Sequence, residues 1–390
     1  GGVENIASPV APGDGKDAIL DVAPGSVREG EDGNLYLDVP EGTQAIRIPA
    51  DFAEQLTQGS LVLQAGSVRL DVPADALREL ADLPVSGEER ADSILVTFTP
   101  LSEEDADLLL QAVEQNSGLE IQVFSGVYDV ALGITGGDGT GMLLSEFAVP
   151  LVIHLPAGPD ANPELAAIFR IAEDGSYEYV GGQYDDGTIR VEVTQPGKYV
   201  VLEMTRPFAD LDPGHWAYTT VQKLVAMQLV RGTSDTTFEP NRPITRQEFA
   251  LLLVLALNPD GLGGELAELP FEDVDRIADW AKQAIAWAVR ENIILGDGAG
   301  RIRPDAPITR AEMAVMVARA LGLGGGSLMG SPGFADSEQI PDWAIDAAEA
   351  LRQLGLVQGR GNGQFAPREW LSRAEAAKII LNLLQYLKRF

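Results

Sequence analysis

A pentapeptide that occurs three times near the C-terminus does most to limit what this chain can fold into. Ile244-Thr245-Arg246-Gln247-Glu248, Ile308-Thr309-Arg310-Ala311-Glu312 and Leu371-Ser372-Arg373-Ala374-Glu375 share one pattern. Their arginines fall 64 and 63 residues apart (310 − 246 and 373 − 310). A fixed period of this size marks stacked supersecondary units, none of which buries its apolar face alone. Other residues keep the same register. Phe208, Phe271 and Phe334 each open a Phe-x-Asp, and Trp216, Trp280 and Trp343 each precede an alanine. Gly232, Gly296 and Gly359 follow, and then Pro240, Pro304 and Pro367. Each unit reads as Phe-x-Asp, Trp-Ala, a first helix, a Gly-rich loop, Pro, Thr/Ser-Arg-x-Glu and a second helix.

The second helix carries its own start signal. Thr245 with Glu248, Thr309 with Glu312, and Ser372 with Glu375 stand three apart. That is the capping-box spacing, in which hydroxyl and carboxylate each take an orphan backbone N–H. Behind it, Met313, Met316, Val317, Ala320 and Leu321 form one apolar stripe. The arginine needs another explanation. In the first helical turn the macrodipole is positive, so a cation there is mildly unfavourable. Arg246, Arg310 and Arg373 therefore imply nearby anions. One source is an acidic ligand, since helix N-termini accept anions and arginine matches a carboxylate. The other is an internal salt bridge, to an aspartate such as Asp279 or Asp342.

A Phe-x-Asp…Trp-Ala start (His-Trp-Ala in the first unit), a Gly…x-x-Pro loop (Phe-x-Pro in the first and third) and a Thr/Ser-Arg-x-Glu close (Ile-Thr-Arg-Ala-Glu in the second) appear in this order three times. They resemble the S-layer homology family over residues 207–390, a little under half of the chain. The resemblance implies an all-α pseudo-trimer of three modules (207–258, 270–322 and 333–390) around a central helical bundle. It implies a non-covalent cell-wall anchor whose inter-module grooves bind secondary cell-wall polysaccharide through its pyruvylated sugar. The ketal carboxylate would be the anion the arginines call for. The implied ligand-binding residues are Arg246, Arg310, Arg373, Trp216, Trp280, Trp343, Gly232, Gly296 and Gly359, supported by the six capping residues. The implied location is the cell surface, with other copies in a lattice as further partners. The alternative is the C-terminal anchor of a secreted polysaccharide hydrolase whose catalytic domain lies outside this chain.

Residue by residue, the tryptophans have two roles open to them. Trp216, Trp280 and Trp343 begin the first helix, where packing in the module core is expected and stacking on a sugar ring is the alternative. The modules also depart from the pattern. The first has Ser234-Asp235-Thr236 in place of a Gly-rich loop, and Gln247 in place of alanine. The third has Arg360 where the second has Asp297, and Trp370 where it has Pro307. Equal binding by all three grooves is not expected. Residues 258–269 and 322–333 read as loops between modules.

The front of the chain is different in kind. Net charge is −31, of which residues 1–206 hold −26 (36 acidic, 10 basic) and residues 207–390 hold −5 (23 acidic, 18 basic). Such an acidic front argues against nucleic acid and anionic membrane as partners. Solubility is its expected role, with calcium uptake by acidic clusters a second possibility; no other cofactor is called for. There is no cysteine, hence no disulfide and no thiol chemistry. No run reaches the roughly 18 apolar residues of a membrane span. The chain begins Gly1-Gly2 without a signal peptide, which reads as a mature or trimmed start.

Residues 1–30 read as a linker or lead-in. From 31 to 206 the dominant period is two, as in Leu35, Leu37 and Val39, in Val68, Leu70 and Val72, and in Leu151, Ile153 and Leu155. Asp174-Gly175 and Asp186-Gly187 signal hairpins. Short helices interrupt at 51–56, 74–80 and 102–114. The expected division is a mixed strand and short-helix domain over 31–115 and a β-sandwich over 116–206. No catalytic constellation emerges and no enzyme is expected. The histidines are His154 and His215 alone, with His154 on the exposed face of its strand. The glycine run 136–141 lacks the lysine of a phosphate loop. All five tryptophans lie in the modules, which argues against a sugar-cleaving cleft in front.

Overall fold

The computed structural model describes residues 3–4, 19–86, 89–137, 140–258, 269–323 and 333–388. Most of the expected loops between modules (259–268 and 324–332), most of the first part of the lead-in (1–2 and 5–18) and the middle of the glycine run lie outside these residues. The chain divides into two compact units, Gly1–Thr205 and Arg206–Phe390. No helix among the described residues is long and apolar enough to cross a membrane.

The first unit is built on two large sheets sharing one core. The larger runs in the order Tyr177–Gly181, Ala167–Ile171, Gly197–Thr205, Tyr128–Thr135, Ser93–Pro100, Ala45–Pro49, Ile19–Asp21. The smaller runs Gln183–Asp185, Thr188–Val193, Leu151–Pro156, Val68–Pro73, Ser60–Ala65, Leu35–Asp38, Arg28–Glu29. Period-two positions such as Ile46, Ile48, Leu70, Ile94, Val130, Ile153 and Val201 meet in that core. Short helices α1 (Ala50–Gln55), α2 (Ala74–Ala81) and α3 (Glu103–Ser117) connect strands, and Ser102 caps α3 by accepting from the Asp105 N–H. Asp186 and Gly187, at φ 43° and 79°, form the two-residue turn whose twist matches a β-hairpin.

Three expectations change here. The division near residue 116 does not separate two domains, because strands from both sides interleave in each sheet. Ser93–Pro100 pairs with Tyr128–Thr135, and Val68–Pro73 with Leu151–Pro156. Residues 19–30 are not all lead-in, since Ile19–Asp21 pairs in parallel with residues 45–47 and Val22 is buried. His154 is half-buried rather than exposed, with Nε2 3.2 Å from the Asp71 carboxylate.

Among the described residues the second unit holds six α-helices: α4 (Tyr218–Ala226), α5 (Arg246–Leu257), α6 (Asp279–Arg290), α7 (Arg310–Ala320), α8 (Asp342–Gln353) and α9 (Arg373–Tyr386). All three capping boxes form: Thr245, Thr309 and Ser372 accept from the N–H of Glu248, Glu312 and Glu375, whose carboxylates accept in return. Packing is exchanged around a ring. The first helix of each module lies on the second helix of the preceding one, α6 on α5 and α8 on α7, and α4 closes the ring on α9. The second helices α5, α7 and α9 face the middle, where Phe249, Leu253, Met313, Val317, Ile380 and Leu383 are buried. A module cut from this ring would leave both its apolar helix faces without partners.

Candidate functional site

The repeated pentapeptides meet at the centre of the helical unit. The Ile244 N–H donates to the Leu371 carbonyl (2.9 Å), that of Leu371 to Ile308 (3.0 Å), and that of Ile308 to Ile244 (3.0 Å). Three hydrogen bonds thus close a ring through all three modules. The next N–H groups of each helix also leave their own module. Those of Arg246 and Gln247 donate to the carbonyls of Ala306 and Pro304, those of Arg310 and Ala311 to Glu369 and Pro367, and those of Arg373 and Ala374 to Arg242 and Pro240. With the capping box, the first turn has no free donor to offer an anion. Helix termini leave such donors open unless something fills them, and here the neighbouring module does.

The ring arginines follow the same path. Arg246 and Arg310 are 8% and 3% exposed. Arg246 Nε donates to the Ile302 carbonyl (2.8 Å), Arg310 Nε to Phe365 (2.6 Å) and Arg373 Nε to Phe238 (2.9 Å). Arg310 and Arg373 each donate again, to the Gln358 and Arg231 carbonyls. Their charge faces the cap glutamate of the next module: Glu312 at 3.0 Å, Glu375 at 3.5 Å and Glu248 at 3.6 Å respectively. The internal partners are therefore these glutamates, not Asp279 or Asp342; Asp279 pairs with Lys282. Burial pushes all three guanidinium groups below their ordinary value, yet they stay protonated because arginine starts so high.

A second set of arginines reaches the same glutamates from within each module. Arg242 meets Glu248 at 2.5 Å, Arg303 meets Glu312 at 2.9 Å, and Arg360 meets Glu375 at 2.7 Å. These precede their ring arginines by unequal intervals (246 − 242, 310 − 303 and 373 − 360), so no repeat alignment shows them as equivalent. Burial alone would raise the carboxyls of Glu248 and Glu375. The arginine and backbone hydrogen bonds outweigh it and hold both below the usual carboxylate value.

The Phe-x-Asp start sets the loop that the arginines grip. Asp210 accepts from the N–H groups of Phe238 and Glu239, Asp273 from Ile302 and Arg303, and Asp336 from Phe365 and Ala366, all within 2.7–2.9 Å. This holds Glu239, Arg303 and Ala366 in the left-handed region and turns the preceding carbonyl toward the arginine. The glycines make room for the phenylalanine: a Cβ on Gly232 would lie 2.7 Å from Phe208, and one on Gly296 2.8 Å from Phe271. Gly359 is closed in by the backbone of Gly363 and Gln364 instead.

The tryptophans are not core residues. Trp216, Trp280 and Trp343 are 60%, 52% and 60% exposed, because alanines at 217, 281 and 344 take the inward positions. Two of them stand over grooves. One groove, of about 680 Å³, has Arg373 at its base, the 228–233 loop and Leu251 and Leu255 as walls, and Trp280 at its edge. The other, of about 390 Å³, has Arg246, the 293–297 loop, Arg319 and Trp343 in the corresponding places. Each groove thus draws its base from one module, its walls from the next and its tryptophan from the third. Among the described residues there is no cluster of histidine, aspartate or glutamate fit to hold a metal.

Residues 207–250, 270–314 and 333–377 match the S-layer homology domain. The helical unit is three tandem S-layer homology domains. These modules place the chain at the cell surface, held at the cell wall. Similar proteins include polysaccharide hydrolases and S-layer proteins. An amylopullulanase of Thermoanaerobacterium thermosulfurigenes is 33% identical over 267 residues, 67% of this chain and 14% of the relative. An exoglucanase of Acetivibrio thermocellus is 34% identical over 47% of this chain and 17% of the relative. The S-layer protein EA1 of Bacillus anthracis is 30% identical over 45% of this chain and 20% of its own length. The chain spans only 14–20% of these relatives. The amylopullulanase match covers more of the chain than the modules do, so it reaches into the β-rich unit.

Proposed function

We propose that the chain anchors a surface protein to the cell wall by binding an acidic wall polysaccharide, with its pyruvylated sugar seated in the grooves between modules. S-layer homology domains anchor surface proteins to the cell wall, and this reading adds the ligand and the place. The observation that carries it is the exposure of Trp280 and Trp343 on the rims of grooves that are polar at the base and apolar on the wall. An aromatic face of that kind suits the apolar face of a sugar ring. The ring arginines serve as the floor and the loop glycines as close-approach backbone. The third groove is expected to bind less well, since Arg360 is tied to Glu369, Glu375 and the Trp370 carbonyl.

The test is sedimentation of residues 206–390 with purified sacculi. Binding that is lost after mild acid removes ketal pyruvate supports the reading; binding unchanged by that treatment contradicts it. A second reading places the chain as the anchor portion of a secreted polysaccharide hydrolase, favoured by the amylopullulanase match that extends into the β-rich unit. In both readings the chain itself is the anchor and not the catalyst.

A further inference from the structure

The ring arginines direct their N–H groups at carbonyls and glutamates of the protein, so an acidic ligand in the grooves needs a cation that is still available. Each groove has one. Arg319 lines the groove under Trp343, and Arg231 lines the groove under Trp280. Both side chains are exposed, and among the described residues neither forms an ion pair. Their positions are exchanged. Nine residues past the ring arginine of its helix, α7 has Arg319 where α5 has Leu255. Directly before the loop glycine, the second module has Leu295 where the first has Arg231. One groove therefore carries cation on the helix and leucine on the loop, and the other carries leucine on the helix and cation on the loop. Arg319 also sits in the last turn of α7, where the macrodipole favours a cation. That accounts for a small stabilisation but not for a position facing the groove, and Arg231 has no helix terminus to serve.

We infer that Arg319 and Arg231, rather than the ring arginines, take the carboxylate of the wall glycan, and that the two grooves hold the sugar in opposite orientations. The inference rests on the groove reading proposed above. Both arginines are exposed, so replacing them leaves the ring intact.

The probes are a hexose glycoside bearing a pyruvyl ketal and the same glycoside without the ketal. The readout is nuclear magnetic resonance of the indole N–H groups in the full chain, Trp343 reporting one groove and Trp280 the other. Arg319→Leu is expected to weaken the ketal probe about tenfold at Trp343, to leave Trp280 unchanged and to leave the uncharged probe unchanged at both. Arg231→Leu is expected to do the reverse. Retention of the full ketal preference at both grooves in both variants overturns this inference and leaves the groove reading standing. Failure of the ketal probe to shift the indoles of Trp280 and Trp343 in the unmodified protein overturns the groove reading, and this inference with it.

Discussion

The two units reach compactness by opposite routes. In the β-rich unit each sheet is assembled from strands far apart in the chain, as when Leu70 faces Ile153. No small set of residues holds it, and its core is continuous across the region. In the helical unit each module is local, and a narrow central ring joins the three. Its linkage depends on three main-chain hydrogen bonds, six more from the helix N-termini and three arginines, of which Arg246 and Arg310 are buried and Arg373 half-buried. A distributed core tolerates loss of one contact better than a ring tolerates loss of one member.

Deleting a module tests this most severely. Removing residues 334–390 strips α7 of α8, strips α4 of α9, and opens the ring. The shortened helical unit is expected to lose cooperative unfolding in calorimetry while the β-rich unit keeps its own transition. A cooperative two-module fragment would show that the ring is dispensable.

Breaking one arginine comes next. Arg310→Ala removes a buried cation that bridges the second and third modules, at an expected cost of about 3 kcal/mol. Glu375 keeps Arg360, which limits the damage. An equally buried position in the β-rich unit offers the control: Val130→Ala should cost about 2 kcal/mol by lost packing alone. Chemical denaturation of the two variants, followed separately by tryptophan emission for the helical unit, checks the order.

Acid is a gentler probe. Glu248 and Glu375 have folded-state values below the usual 4.5. Their contribution to stability is fully present above the unfolded value and is lost as pH falls through the folded one. The helical unit is therefore expected to hold its melting temperature from pH 7 to about 5 and to lose it below about 4. In the β-rich unit burial raises the Asp129 carboxyl, a contribution of the opposite sign. A helical unit whose melting temperature rises on acidification would contradict the glutamate assignments.

The same contrast governs what can be read from the residues. Capping boxes, apolar stripes and the repeat itself are local patterns, and the helices they announce are present. The ring arginines are held by backbone carbonyls of Ile302, Phe365 and Phe238, which leave no mark on residue type. The second arginines converge on the glutamates from unequal chain positions, so the period that reveals the modules conceals them. Hydrophobicity assigns the tryptophans to the core, but the neighbouring alanines are smaller and fit between close-packed helices, leaving the indoles outside. In the β-rich unit, period two marks strands without specifying partners, which is why it suggests a boundary near residue 116 where the sheets have none.

Holding and binding are assigned to different residues: the ring arginines hold the modules together, and the exposed indoles are the proposed contacts with the glycan. Trp343→Ala and Arg310→Ala, compared in parallel by calorimetry with wall glycan and by thermal melting, test this assignment most directly. Trp343→Ala is expected to weaken binding at its groove about thirtyfold, roughly 2 kcal/mol, with the melting temperature unchanged. Arg310→Ala is expected to lower the melting temperature and to leave affinity of the folded fraction nearly intact. The reverse pattern, stability lost with Trp343 and affinity lost with Arg310 in a fully stable protein, would contradict it.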